Sequence, residues 1–169
     1  TFGASGKTLT YTAGTVITTG STLSNSVTCT LNTAGVIWNN FTTNVQGTIT
    51  NNSLLTISGT LTYTSNGVGV TFAGTAGWTC GTFTCTVPNM THTFTVGNTY
   101  TITGAFNITA ATNAARITLK SSSAGTKATF TLNPGASQNV GYVNATDINS
   151  NAGQTIYSFN VVITTTFNW

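Results

Sequence analysis

One carboxylate side chain, Asp147, one imidazole, His92, and three thiols, Cys29, Cys80 and Cys85, carry nearly all the acid-base, nucleophilic and metal-binding chemistry available to this sequence. Glycoside cleavage needs a pair of carboxylates, and calcium-assisted chemistry needs several around one cation. Asp147 stands alone, between Asn144 and Asn149, and a lone Asp in an Asn-rich loop reads as an Asx turn or cap. A Ser-His-Asp set can be spelled from Asp147, His92 and some serine, but any chain this rich in serine spells one. His92 shares strand parity with Phe94 and falls between Val70 and Ala115 when the sequence is aligned on itself, which points to packing. No catalytic residue is expected, and no metal or cofactor, because His92 has no second nitrogen or sulfur cluster to join.

Three cysteines cannot pair completely. Cys80 and Cys85 read as small buried apolar residues, with a Cys80–Cys85 bridge around Gly81 left open, and Cys29 has no evident partner. Five Asn-x-Ser/Thr sequons, at Asn40, Asn51, Asn89, Asn107 and Asn144, could accept glycans in a host that glycosylates. Asn51 and Asn89, read as turn residues, are expected to be the most accessible. Several such sequons arise by chance in a chain with 42 threonines and 19 asparagines.

Charge is nearly absent. Lys7, Arg116, Lys120, Lys127 and Asp147 are the whole set, 3% of 169 residues, against roughly 25% in ordinary soluble domains. Four scattered cations are no nucleic-acid footprint, which would need clustered Lys and Arg. No apolar run approaches the ~18 residues of a membrane helix, so membrane insertion is not expected. An apolar content of 39% argues against disorder. Polarity comes from threonine and asparagine, a β-branched strand former and a turn former. A surface made soluble by hydroxyls and amides is insensitive to pH and salt, as suits an extracellular, cell-surface or virion protein. With no initiator Met and no signal-like segment, the sequence reads as a processed product or an excised piece.

What must position these groups is a repeat. Across residues 48–132, Ile49, Phe72, Phe94, Ile117 and then Val140 recur at gaps of 23, 22, 23 and 23. Leu61, Phe83, Phe106 and Phe130 follow a second column, and Leu55, Trp78 and Tyr100 a third, with Ile57, Cys80 and Ile102 two residues on. In the same way Cys85 aligns with Tyr63, Ile108 and Leu132, while Gly59, Gly81 and Gly104 keep the same beat. Several columns sharing one period mark stacked repeats. Within each strand a large apolar residue is flanked by threonines, as in Thr60-Leu61-Thr62 and Thr82-Phe83-Thr84. A period of two sends the apolar residue inward and both threonines outward. No window carries helical periodicity. The fold expected is an all-β parallel β-helix, or β-solenoid, of six to seven rungs of about 22–23 residues. It forms one domain over 1–169: irregular N-terminal rungs or a cap at 1–47, regular rungs at 48–145, and a closing or inter-subunit segment at 146–169. Val36, Ile37, Trp38 and Phe41 are expected to fill a corner of the core.

From Arg116 the wording changes: Arg116-Ile117-Thr118-Leu119-Lys120-Ser121-Ser122-Ser123, then Val140-Gly141-Tyr142-Val143 and the acidic turn at Asp147. Over 116–156 this resembles the terminal repeat of Thr/Gly-rich right-handed parallel β-helix proteins of bacterial surfaces and tailed-phage virions. The looser Thr-rich rungs carry the resemblance over most of the rest. It implies an architecture and little about chemistry.

The function expected is structural: a non-enzymatic subunit of an extracellular or virion assembly, a filament, fibre or surface decoration, built by self-association. Its partner is itself or neighbouring repeats of a longer chain. A solenoid leaves an unpaired strand at each end, and this sequence has almost no charge with which to guard one. Phe159 and the apolar run Val161, Val162 and Ile163 should be buried, as a closing strand or a contact between copies, and Phe167 and Trp169 join Val161, Val162 and Ile163 as candidates for self-association. The alternative is an adhesin or phage receptor-binding module meeting surface glycans through Trp38, Tyr157 or Trp169, which lie outside the repeat columns. Ice binding is a third reading. Thr60, Thr82 and Thr129 line up, as do Thr62, Thr84 and Thr131, but Ala105 and Asn107 interrupt them and Arg116 breaks the row of Thr48, Thr71 and Thr93.

Overall fold

The computed structural model describes residues 5–64, 67–166 and 168–169. Its strands are β1 (Lys7–Thr10), β2 (Thr22–Asn25), β3 (Cys29–Asn32), β4 (Ile37–Trp38), β5 (Asn40–Thr43), β6 (Thr48–Asn51), β7 (Leu55–Tyr63), β8 (Thr71–Gly74) and β9 (Trp78–Cys85). They continue as β10 (Thr91–Phe94), β11 (Thr99–Thr109), β12 (Ile117–Ser121), β13 (Ala128–Leu132), β14 (Ser137–Gly141), β15 (Val143–Thr146), β16 (Ile148–Asn149) and β17 (Val162–Thr164). One 3₁₀ turn, Asn113–Ala115, precedes β12. Every pairing between these strands is parallel, and the chain winds as a β-solenoid of about seven turns.

Each turn has three strand segments. The first face is an eight-stranded sheet in the order β1-β3-β6-β8-β10-β12-β15-β17. The other sheet bends into two faces, because β7, β9 and β11 are long enough to turn a corner. Their register slips between Ile57 and Thr60, and again between Ile102 and Ala105. Glycine makes the corner. A Cβ on Gly59 would stand 2.5 Å from the Asn39 carbonyl oxygen, one on Gly81 2.5 Å from that of Ser58, and one on Gly104 2.9 Å from that of Gly81. Stacked corners approach too closely for any side chain, which explains the glycine beat in the sequence.

Alternation then builds the core. Leu55, Trp78 and Tyr100 stack in register, as do Ile57, Cys80 and Ile102, then Leu61, Phe83 and Phe106 beyond the corner, and all are buried. Phe72 lies over Phe94 with ring centroids 5.5 Å apart, and Phe83 over Phe106 at 6.0 Å. Trp78 touches both sets, at 5.9 Å from Phe72 and 5.3 Å from Phe83. Burying each such ring stabilises by roughly 1.5–3 kcal/mol relative to leaving it in water. Interior hydroxyls find carbonyls and amides on neighbouring segments: Tyr63 Oη donates to Val45 O at 2.7 Å, and Tyr100 Oη accepts from the Thr95 amide at 2.9 Å.

The sequence period holds for three turns and then fails. Leu55, Trp78 and Tyr100 follow one another at the spacing of the repeat, but Tyr100 pairs next with Phe130, well beyond one further period. Phe94 pairs with Ser121 rather than Ile117, Phe106 with Gln138 rather than Phe130, and Ile108 with Val140. Leu132 accordingly sits on Ile102 rather than in the Cys85 column, and His92 pairs with Leu119 rather than Ala115. Longer connections between β11 and β12, and between β12 and β13, displace the next turn along the sequence. Parity survives the displacement, so Ile117, Phe130 and Val140 are still buried, each on a different neighbour from the one its spacing suggested. Of the corner patch, Val36 and Phe41 are buried and Trp38 packs on the core, while Ile37 faces outward.

Candidate functional site

The two most reactive side chains meet inside. His92, on β10, is fully buried, and its Nε2 lies 3.3 Å from the Cys85 sulfur on β9. Its ring meets Tyr63 edge-on at 4.7 Å and Phe83 at 6.2 Å, so it sits in an aromatic box, with Nδ1 unpartnered. Burial holds the imidazole neutral, with its pKa pushed down to about 3. The same desolvation pushes the Cys29 and Cys85 thiols up to about 11 and Cys80 further up, which suppresses the thiolate. All three cysteines are free and buried, so the bridge left open between Cys80 and Cys85 is not formed. The two thiols stand on opposite arms of β9, each locked into its own column: Cys80 between Ile57 and Ile102, Cys85 between Tyr63 and Ile108. Among the described residues, no three His, Cys, Asp or Glu side chains gather.

Asp147 does more than cap a turn. It has φ 54° and its carboxylate is buried between turns, where Oδ2 accepts the Gly125 amide at 2.9 Å and Oδ1 accepts the Thr165 hydroxyl. Its own amide donates to Thr164 O at 3.0 Å, and its carbonyl accepts from Ala128 at 3.0 Å. These hydrogen bonds, chiefly the one from Thr165, hold its pKa below the usual carboxylate range. Arg116 makes a second clamp nearby: Nη1 donates to Val143 O at 3.2 Å and to Asn160 O, and Nη2 to Asn113 Oδ1 at 2.7 Å. Two of the five charges, Arg116 and Asp147, thus tie the last turns together.

The sequons divide by exposure. Asn89 is exposed on a left-handed turn with φ 60°. Asn51, expected to be accessible, is instead fully buried, its amide 3.4 Å from Gly77 O, because it is an inward residue of β6. Asn40, Asn107 and Asn144 are half-buried on outer faces; Asn40 Oδ1 accepts the Thr60 amide at 2.9 Å and Asn144 reaches Thr118 Oγ1 at 3.4 Å.

The threonine rows regroup. Thr60 and Thr82 do align and are followed by Ala105, and Thr62 and Thr84 by Asn107. Thr129 and Thr131, however, belong to the neighbouring face, where Thr56, Thr79, Thr101 and Thr131 form an unbroken outward column over four turns. Thr48, Thr71 and Thr93 are followed by Lys120, not Arg116.

The ends hold what the sides lack. Among the described residues β1 pairs only with β3, and β17 only with β15, so the eight-stranded sheet has two open edges. Nine large apolar side chains are exposed among the described residues, and seven lie in the first two or the last turns. Val16, Ile17 and Ile37 gather at the N-terminal end, Ile17 being 84% exposed, beside a cleft lined by Tyr11, Gly14 and Val36. Tyr157, Phe159, Val162 and Ile163 gather at the C-terminal end. No protein-family model, curated protein sequence or solved structure matches this chain. Its site is therefore read from its own residues.

Of the C-terminal segment expected to be buried, Phe159, Val162 and Ile163 are exposed in the single chain and Val161 is half-buried, because among the described residues no strand pairs with the far edge of β17. Phe167 lies outside the described residues. Trp169 departs from both expectations: it folds back as a plug, its ring 6.3 Å from Phe106 and its Nε1 donating to Ser158 Oγ at 3.0 Å. Asn168 secures the plug, giving Nδ2 to Ser150 O at 3.0 Å and accepting the Thr155 hydroxyl at 2.7 Å. The signal for it is the in-turn residue Gln138, polar where the Phe83 and Phe106 stack would continue. Trp38, paired with Ile57, packs on the core, which leaves Tyr157, 73% exposed, as the one aromatic platform of the three expected.

Proposed function

We propose that this chain is a non-enzymatic structural subunit that associates with itself outside the cell or in a virion, in the manner of the Thr/Gly-rich parallel β-helix proteins it resembles. The observation that carries this is the gathering of exposed apolar side chains at the two ends of the solenoid, next to two open sheet edges. An isolated protein guards such edges with charge, proline or a covering loop. Here β17 carries no charge and β1 carries only Lys7. The outer faces between are neutral hydroxyl and amide ladders, soluble without guiding any charged ligand. Sedimentation and electron microscopy of the purified chain, from micromolar to near-millimolar, test the proposal. Masses rising in multiples of 17.4 kDa, with ordered particles or filaments, are expected. A dilution-independent monomer overturns it.

One observation favours a second reading, glycan binding. Tyr157 stands exposed over a shallow groove of about 250 Å³ with the exposed Asn139 on its rim, an aromatic beside a hydrogen-bonding amide. Glycan-array binding lost on Tyr157→Ala would support it.

A further inference from the structure

We propose that copies join head to tail, with β17 of one copy pairing in parallel with β1 of the next, so that the first face runs unbroken through the joint. This rests on the self-association proposed above and specifies its partner edge. Every pair in that sheet is parallel, so the free edge of β17 offers the donor and acceptor row that β15 offers β17, and the free edge of β1 presents the row that β3 presents to β1. The second copy is thus the occupant whose edge fits by construction.

Side-chain alternation selects the register. Ile163 pairs with buried Ala145 and so points inward, yet it is 42% exposed because no further turn covers it. On β1 the inward residues are Lys7, paired with Cys29, and Leu9, paired with Leu31. A slip of one residue would set Ile163 over an outward threonine; a slip of two would set it over Lys7 in one direction and, in the other, over Tyr11, past the end of β1. Ile163 over Leu9 continues the apolar column, and it places outward Val162 beside Thr8 and Thr164 beside Thr10. Leu9 is itself half-buried, with the same side bare.

Cross-linking tests the joint. Thr8→Cys and Val162→Cys chains are purified separately, mixed and mildly oxidised. Paired parallel strands lie ~4.8 Å apart, within the ~4.4–6.8 Å that a disulfide spans between Cα atoms. The native thiols are buried and do not compete. A cross-linked dimer in the mixture, absent from either chain alone, and a ladder from the double variant are expected. A Thr84→Cys chain, carrying its thiol on the middle of an outer face, reports side-by-side contact. Oligomers that cross-link through Thr84→Cys, while the Thr8→Cys and Val162→Cys mixture stays monomeric, overturn the head-to-tail joint and leave self-association standing. A chain that remains monomeric at every concentration overturns both. Ile163→Lys, at an exposed edge, should keep the melting temperature and lose association; association at the wild-type level in that variant also overturns the joint.

Discussion

The middle turns and the last turns of this solenoid hold themselves together by different means. Between positions 8 and 115 the sequence has no charged side chain, yet β6 to β11 stack at one even spacing, ring over ring and glycine over glycine. From Arg116 onward come four of the five charges, connections that stretch a turn well past the repeat length, and most of the strained backbone. Among the described residues, six other than glycine have positive φ; Asn89 is one, and Tyr142, Asp147, Asn160, Thr165 and Asn168 all lie in the last turns. Such conformations persist only where surrounding contacts over-determine them. Regular turns are held by repetition of shape, ring over ring with glycine at each corner, and need no charged clamp. Where repetition ends, individual hydrogen-bonded clamps replace it.

Four experiments can break or sharpen that contrast. Trp78→Ala removes the ring shared by both inner stacks and should cost about 3–5 kcal/mol in denaturant unfolding; a loss below about 1 kcal/mol would mean the aromatic stack is not what holds the middle. Acidification comes next. The buried His92 binds its proton only near pH 3 when folded but at 6.5 when unfolded, so the unfolded chain holds the extra proton between those values. Stability is therefore full above pH 6.5 and falls by up to about 1.4 kcal/mol per unit below it. His92→Leu should flatten this slope, and an unchanged slope in that variant would place the acid sensitivity elsewhere. Gly81→Ala forces a Cβ against the Ser58 and Gly59 carbonyl oxygens and should cost roughly 1–3 kcal/mol. The smallest effect belongs to the last turns. Asp147→Ala leaves the Gly125 amide and Thr165 hydroxyl without their acceptor, so amide exchange should quicken in β17 while the middle strands and the global melting temperature hold. In the wild type the same loosening appears as pH drops below 3.8, because the carboxylate's depressed pKa makes its support present above that value and lost beneath it. Exchange that quickens equally in β9 would show the ends and the middle to be one cooperative unit.

Much of the middle can be read directly. Ile49, Leu61 and Trp78 announce their columns because three consecutive turns keep one length, and the glycines at 59, 81 and 104 announce a corner. Ile117 and Phe130 show the limit. A fixed repeat cannot register a longer connection, so it assigns them the right face and the wrong neighbour. The clamps are illegible for another reason: Asp147 reaches Gly125 and Thr165 across turns, contacts with no periodic trace. Asn51 looks accessible because Asn commonly marks turns, but its place at the end of β6 turns it inward.

Sequence alone determined the parallel, all-β stacking and the inward set of apolar residues, since alternation with a period of two and a shared repeat length are local properties of the chain. Tertiary structure alone decided which turn each residue rests on after position 110, that His92 meets Cys85, that Trp169 plugs the lumen, and that Ile163 is left bare. Each of these depends on how much chain a connection takes up between strands and on what lies beyond the last one, and neither is written in the alternation of the strands themselves.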